Sequence, residues 1–106
     1  MMNIEIPGQA RVISFYGPEK QSMIHCEELA ELIQAVSKMR RVKDSGKDDT
    51  KEYFNLVEEL ADTLVCIEQI KTMYDITDGE IQRVVSRKCA RQEERMHDAA
   101  RRVLEG

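Results

Sequence analysis

Two near-copies of one acidic phrase stand out in this chain, Glu27-Glu28-Leu29-Ala30-Glu31 and Glu58-Glu59-Leu60-Ala61-Asp62. Each falls within a helical pattern, and a helix advances roughly 100° per residue, so Glu28 with Glu31, and Glu59 with Asp62, project from one side of their helix. If the two helices pack together, four carboxylates converge. Clustering them with no cation costs several kcal/mol, roughly, through repulsion and desolvation, whereas hard divalent ions take oxygen ligands. The expected chemistry is a metal site.

The helical wheel argues that these acids are more than solvated surface. With Glu28 at zero, Leu29, Leu32, Val36 and Met39 lie to one side and Ile24 and Ala35 to the other, which sets Glu28 inside the apolar arc. Glu59 repeats the arrangement among Leu56, Leu60, Ile67 and Ile70, with Cys66 and Met73 opposite. Glu31 and Asp62 fall at the edge of each arc. Carboxylates are rarely buried unless paired or bound to a cation, and two at matched positions in matched phrases point to a role. The competing explanation is a structural acid cluster neutralised by Lys38 and Arg91.

Ligand type narrows the ion. Di-iron bundles supply Glu-x-x-His pairs, but here Glu31 and Asp62 occupy the histidine positions. His25 points to the apolar side and His97 lies far along the last helix, so both are expected to be structural or exposed. An all-oxygen set favours Mg²⁺ or Mn²⁺, ions that commonly hold substrate phosphates as well. Phosphates need cations, and Lys88, Arg91 and Arg95 form one stripe that Arg102 extends, while Lys38 lies two turns beyond Glu31 on the same face. Those bases can equally pair with Glu93, Glu94 and Asp98 on a solvated helix.

The elements that must position these side chains are helices. Residues 1–18 hold both prolines and read as an irregular or partly helical lead-in, with Ala10 to Tyr16 apolar enough to dock. Pro18 opens a first long helix to about Val42. Lys43 to Asp48 break it, and Asp49 with Glu52 form a capping box for a second helix reaching about Tyr74. Asp75 to Asp78 turn the chain, and Thr77 with Glu80 cap a third helix running to about Leu104 and ended by Gly106. With no strand-like alternation, the expected fold is an all-α bundle of antiparallel helices in a single domain over 1–106, its lead-in at 1–17 loosely determined.

Composition excludes several classes. A formal charge of −4 and a pI near 5.2 argue against a nucleic-acid-binding surface. Cys26, Cys66 and Cys89 are widely spaced, which predicts reduced thiols in a cytoplasmic protein rather than a disulfide framework. No secretory pattern opens the chain and no apolar run approaches the ~20 residues of a membrane span, so neither export nor membrane insertion is expected.

Glu-Glu-Leu-Ala-Glu on one helix, followed after a short loop by Glu-Glu-Leu-Ala-Asp on the next, resembles the E-E-x-x-E and E-x-x-D signature of the MazG-like all-α nucleoside triphosphate pyrophosphatases, a group that includes dCTP pyrophosphatases and dimeric dUTPases. The resemblance spans about residues 15 to 96. It implies Mg²⁺ held by Glu28, Glu31, Glu59 and Asp62, with Lys88 and Arg95 matching the family's K-x-x-x-N-x-x-R pattern. Gln92 stands at the asparagine position, and the tryptophan that some members place around the base is absent. The implied reaction is Mg²⁺-dependent hydrolysis of a nucleoside triphosphate to the monophosphate and pyrophosphate, in a homodimer or homotetramer, with Lys88 and Arg91 or Arg95 at the departing pyrophosphate. Glu27 and Glu58, about 100° from the ligands, are candidates for a general base or for bracing the ligands from outside. Tyr16, Gln21 and His25 are candidates for a base pocket of undefined specificity. Two alternatives stand beside this expectation. One is a non-catalytic oligomeric helical interaction protein with a structural ion; the other is a pyrophosphohydrolase acting on another phosphorylated metabolite.

Overall fold

Glycine and proline divide the chain into its helices. The computed structural model describes residues 3–106, and among these the regular elements are four α-helices: α1 (Gln9–Tyr16), α2 (Pro18–Ser45), α3 (Thr50–Met73) and α4 (Asp78–Glu105). Gly17, at φ 90°, separates α1 from α2 in a conformation that side-chain-bearing residues avoid, and Pro18 follows as the first residue of α2. The lead-in thus contains a helix of its own, over the segment expected to dock. Past Val42, α2 continues to Ser45 and stops at Gly46, whose left-handed backbone (φ 69°) closes the helix end.

The two expected capping boxes have different outcomes. At α4, Thr77 Oγ1 accepts from the Glu80 amide at 3.1 Å and Glu80 Oε2 accepts from the Thr77 amide at 2.9 Å, so that box is complete. At α3 the box of Asp49 and Glu52 does not form, because Asp49 makes no side-chain cap and instead pairs with the Lys43 ammonium in the last turn of α2. A charge-assisted partner across the turn outcompetes a neutral amide. The same contact holds the Asp49 carboxyl below the usual carboxylate range.

Residues up to Asp75 form one compact unit, in which α2 and α3 make the principal packing and α1 lies against both. Ile76–Gly106, chiefly α4, forms a second unit. In the first unit α2 and α3 run antiparallel. Gln21 near the start of α2 meets Gln69 near the end of α3 at 3.0 Å, and Lys43 meets Asp49 at the other end. The line between them is lined by the buried side chains of Gln21, His25, Ala35, Thr63, Cys66 and Gln69.

Most of those residues are polar, and a hydrogen-bond network makes their burial tolerable. Gln69 Oε1 accepts from Gln21 Nε2 at 3.0 Å and from His25 Nε2 at 2.7 Å, while Gln69 Nε2 donates to Gln9 Oε1 at 2.8 Å. One amide therefore ties α1, α2 and α3 together. The expected apolar arcs are less covered than the wheel implies: Val36 is 53% exposed, Leu60 48% and Ile67 43%, because two helices bury only one narrow stripe of each other. In α4 no residue is buried. Among the described residues no helix is long and apolar enough to cross a membrane.

Replacing Gln69 with Leu keeps the volume but leaves the polar groups of Gln21 and His25 buried without their shared acceptor. The expected loss is about 3 kcal/mol of unfolding free energy in urea titration. A change within about 0.5 kcal/mol, the range of a neutral surface substitution, would show that the network does not hold the three helices.

Candidate metal centre

The antiparallel register brings the two acidic phrases face to face. Because Glu28 and Glu59 each begin an i, i+3 pair on helices running in opposite directions, the second acid of each phrase lies opposite the last acid of the other. Glu28 interacts with Asp62, and Glu59 with Glu31. Glu28, Glu59 and Asp62 each offer a carboxylate oxygen, and these oxygens all lie within 4.8 Å of one another. Opposed ligand oxygens of one Mg²⁺ are roughly 4.2 Å apart and those of one Ca²⁺ roughly 5 Å, so the three oxygens are close enough together to share one hard cation. Glu31, the fourth expected ligand, is exposed at the rim, where its charge acts on both Glu28 and Glu59.

Burial makes this cluster different from exposed surface acids. Glu28 and Glu59 are half-buried, and the Oε2 atom of each is shut off from solvent without a hydrogen-bond partner. Burial is the leading reason that both carboxyls are pushed above the usual glutamate range. For Glu28 the charges of Asp62, Glu31 and Glu59 and the closeness of the Asp62 carboxyl add to it. For Glu59 the charges of Glu31, Asp62 and Glu58 and the closeness of the Glu31 carboxyl do the same. An orphaned, desolvated carboxylate oxygen on each of two helices is the demand that a bound cation satisfies. The donor set fits Mg²⁺ or Mn²⁺.

The floor of the cluster is Cys66, 3% exposed, whose thiol is pushed upward by burial and then by the charges of Glu28 and Asp62. It stays protonated at neutral pH and is no thiolate ligand. Beside it Thr63 turns its hydroxyl onto the Glu59 carbonyl at 2.7 Å. His25 sits in the amide network, away from the acids, and His97 is exposed on α4. Glu27 and Glu58 are exposed, Glu58 close enough for its charge to act on Glu59.

The expected phosphate ligands are distributed over both units. Lys38, on α2, lines a groove with Arg41 and residues at the start of α3. Lys88 and Arg91 line a hollow on α4 with Arg87, and Arg95 is exposed on the same helix. Comparison with known family models, with curated proteins and with solved structures finds no match. Chemistry at this centre therefore rests on its own geometry. Sequence reasoning missed Arg41, Lys51 and Asn55 beside Lys38; their only signal was their placement at the two ends of the α2–α3 turn.

The raised carboxyls fix the sign of a pH effect. A group whose folded pKa lies above its unfolded value binds protons more tightly when folded, so acidification through the raised values stabilises the protein, with the gain complete at the ordinary glutamate value. Asp49, held low, acts oppositely and in a more acidic window, losing its contribution only as pH falls through its depressed value. Metal-free protein is expected to melt higher as pH drops from neutral toward the ordinary glutamate range and lower again below it. In Glu59→Gln the rise should shrink. A melting temperature that only falls on acidification, in scanning calorimetry with chelator present, contradicts the repelling cluster.

Proposed function

We propose that this protein is a Mg²⁺-dependent nucleoside triphosphate pyrophosphohydrolase of the MazG-like all-α kind, converting a nucleoside triphosphate to the monophosphate and pyrophosphate. The observation that carries the proposal is the pair of buried, unpartnered oxygens on Glu28 and Glu59, presented with Asp62 from two antiparallel helices. Surface acids need no such burial, and a structural acid cluster would be expected to bring its own cations inside. No ion pair to Glu28, Glu31, Glu59 or Asp62 is present among the described residues.

Glu28, Glu59 and Asp62 would hold the ion, with Glu31 completing the set from the rim. When bound, Mg²⁺ supplies neutralisation of charge on the phosphoryl oxygens. Glu27 and Glu58 stand in solvent beside the ligands, placed to accept a proton from an attacking water or to brace the ligands. Cys66 and Thr63 exclude water from the floor, so charges above it act in a lowered dielectric. Lys38, Lys88, Arg91 and Arg95 are assigned to the phosphates, Lys88 and Arg95 on the family's sequence pattern and Arg91 on the basic stripe it shares with them. A homo-oligomer, dimer or tetramer, is the proposed assembly, supported by apolar side chains such as Ile33, Val36 and Phe54 that stand 53–69% exposed on α2 and α3. Those same faces are what a non-catalytic interaction protein would use.

Glu59→Gln separates the possibilities. The amide preserves shape but removes a charge and a ligand oxygen, so pyrophosphate release from a nucleotide panel should fall about a thousandfold or more with helical content unchanged. In a structural acid cluster the same substitution relieves repulsion and changes no activity. Saturating Mg²⁺ should raise the wild-type melting temperature by about 5 °C or more and leave the variant unmoved. Turnover near wild type in Glu59→Gln removes this residue from the centre. Light scattering at micromolar concentration should give at least a dimer mass; an active monomer excludes the assembly.

A further inference from the structure

The α2–α3 turn holds a second polar site, roughly 10 Å along the helix pair from the acidic centre at about 1.5 Å per residue. It is a groove of about 420 Å³ in which Lys38 and Arg41 of α2 face Lys51, Glu52 and Asn55 of α3. None of its three cations forms an ion pair among the described residues. Nearby bases behave differently: Arg40 pairs with Asp44 and Lys43 with Asp49. The unpaired cations are those that face the groove, and the first turn of α3 adds the positive end of its helix dipole to the same place.

Glu52 makes the groove selective. It stands where a capping box would have used it, but Asp49 is committed to Lys43, so Glu52 lines the groove instead, with its Oε2 buried and lacking a hydrogen-bond donor. A carboxylate among three cations leaves the site net positive and adds an acceptor with unmet capacity. An anion that suits both must be negatively charged and still carry a proton to donate. Phosphate monoanion and dianion do so through a P–O–H group, whereas sulfate at neutral pH has no proton to offer.

We infer that this groove is a binding site for a protonatable terminal phosphate, with Arg41, Lys38, Lys51 and the Asn55 amide donating to its oxygens and Glu52 accepting from its hydroxyl. The shared chemistry covers free phosphate and the end of a polyphosphate chain. Placing the last phosphate of a nucleotide here, with the chain extending toward Glu28 and Glu59, rests on the pyrophosphohydrolase proposal. The groove itself does not.

The test uses the full chain in chelator, titrated with sodium phosphate and separately with sodium sulfate at matched ionic strength, following the amide resonances of Arg41, Lys51 and Asn55. Phosphate should bind saturably and sulfate about tenfold or more weaker, the difference made by one hydrogen bond to a charged acceptor. Glu52→Gln should erase most of that preference, because the amide donates to either anion. Arg41→Gln and Lys51→Gln should each weaken phosphate about tenfold, and two exposed sites keep the test sound if one variant folds poorly. Equal affinity for the two anions, or affinity untouched by all three substitutions, overturns the site. Adding a nucleoside triphosphate distinguishes the sources: displacement of bound phosphate supports the nucleotide placement, and phosphate left in place overturns that placement. Because phosphate binding is read in chelator, a protein that binds phosphate here yet releases no pyrophosphate from nucleotides when Mg²⁺ is supplied refutes the enzymatic proposal alone.

Discussion

The register of α2 against α3 is the constraint on which the first unit depends. It is fixed at one end by the Gln69 amide, which accepts from Gln21 and His25, and at the other by the Lys43–Asp49 ion pair across the turn. Between these two clamps the helices have no freedom to slide, and the acids in the middle must meet. A shift of one turn would separate Glu28 from Asp62 and relieve the repulsion that, after burial, pushes Glu28 and Glu59 upward. The clamps hold a strained electrostatic arrangement in place, as sites with stored energy require.

The contact line is unusually polar for a structural seam. Gln21, His25, Thr63 and Gln69 are buried where leucines would ordinarily sit, and only Ala35 and Cys66 supply apolar burial of comparable depth. Hydrogen bonds are directional, so an amide network specifies one register where a greasy seam would tolerate several. The corresponding loss is hydrophobic stabilisation, visible in the exposure of Leu60, Val36 and Ile67. A unit built this way gains most from any partner that covers its outer faces.

Helix boundaries and the convergence of Glu28, Glu59 and Asp62, three of the four acids expected to meet, were legible in the sequence because both follow from local rules. Glycine, proline and the Thr77–Glu80 box mark ends within a few residues, and an i, i+3 pair on each of two antiparallel helices can meet in only one way. What escaped was decided by contacts between elements. The wheel placed Glu28 in an apolar arc but could not say how wide a stripe would be covered. Asp49 reads as a cap because Glu52 follows at the right spacing, yet Lys43 claims its carboxylate from the preceding helix. Gln21 and Gln69 carry no sequence signal of burial, since a glutamine is ordinarily exposed and its partner here lies far along the chain.

The diversion of Asp49 to Lys43 bears on how the helix pair is polarised. With Asp49 occupied, the first turn of α3 keeps its Glu52 side chain for the groove. Carboxylates crowd the middle of the pair while unpaired Lys38, Arg41 and Lys51 gather beside the turn. Opposite charges separated by about two helical turns along one face create a field directed along the pair, which orients an anionic chain lying beside it. A cation at the acids would extend the positive region toward the turn and turn that separation into a continuous anion track. Neither cluster alone determines the direction in which such a chain would lie; the separation imposed by the α2–α3 register does.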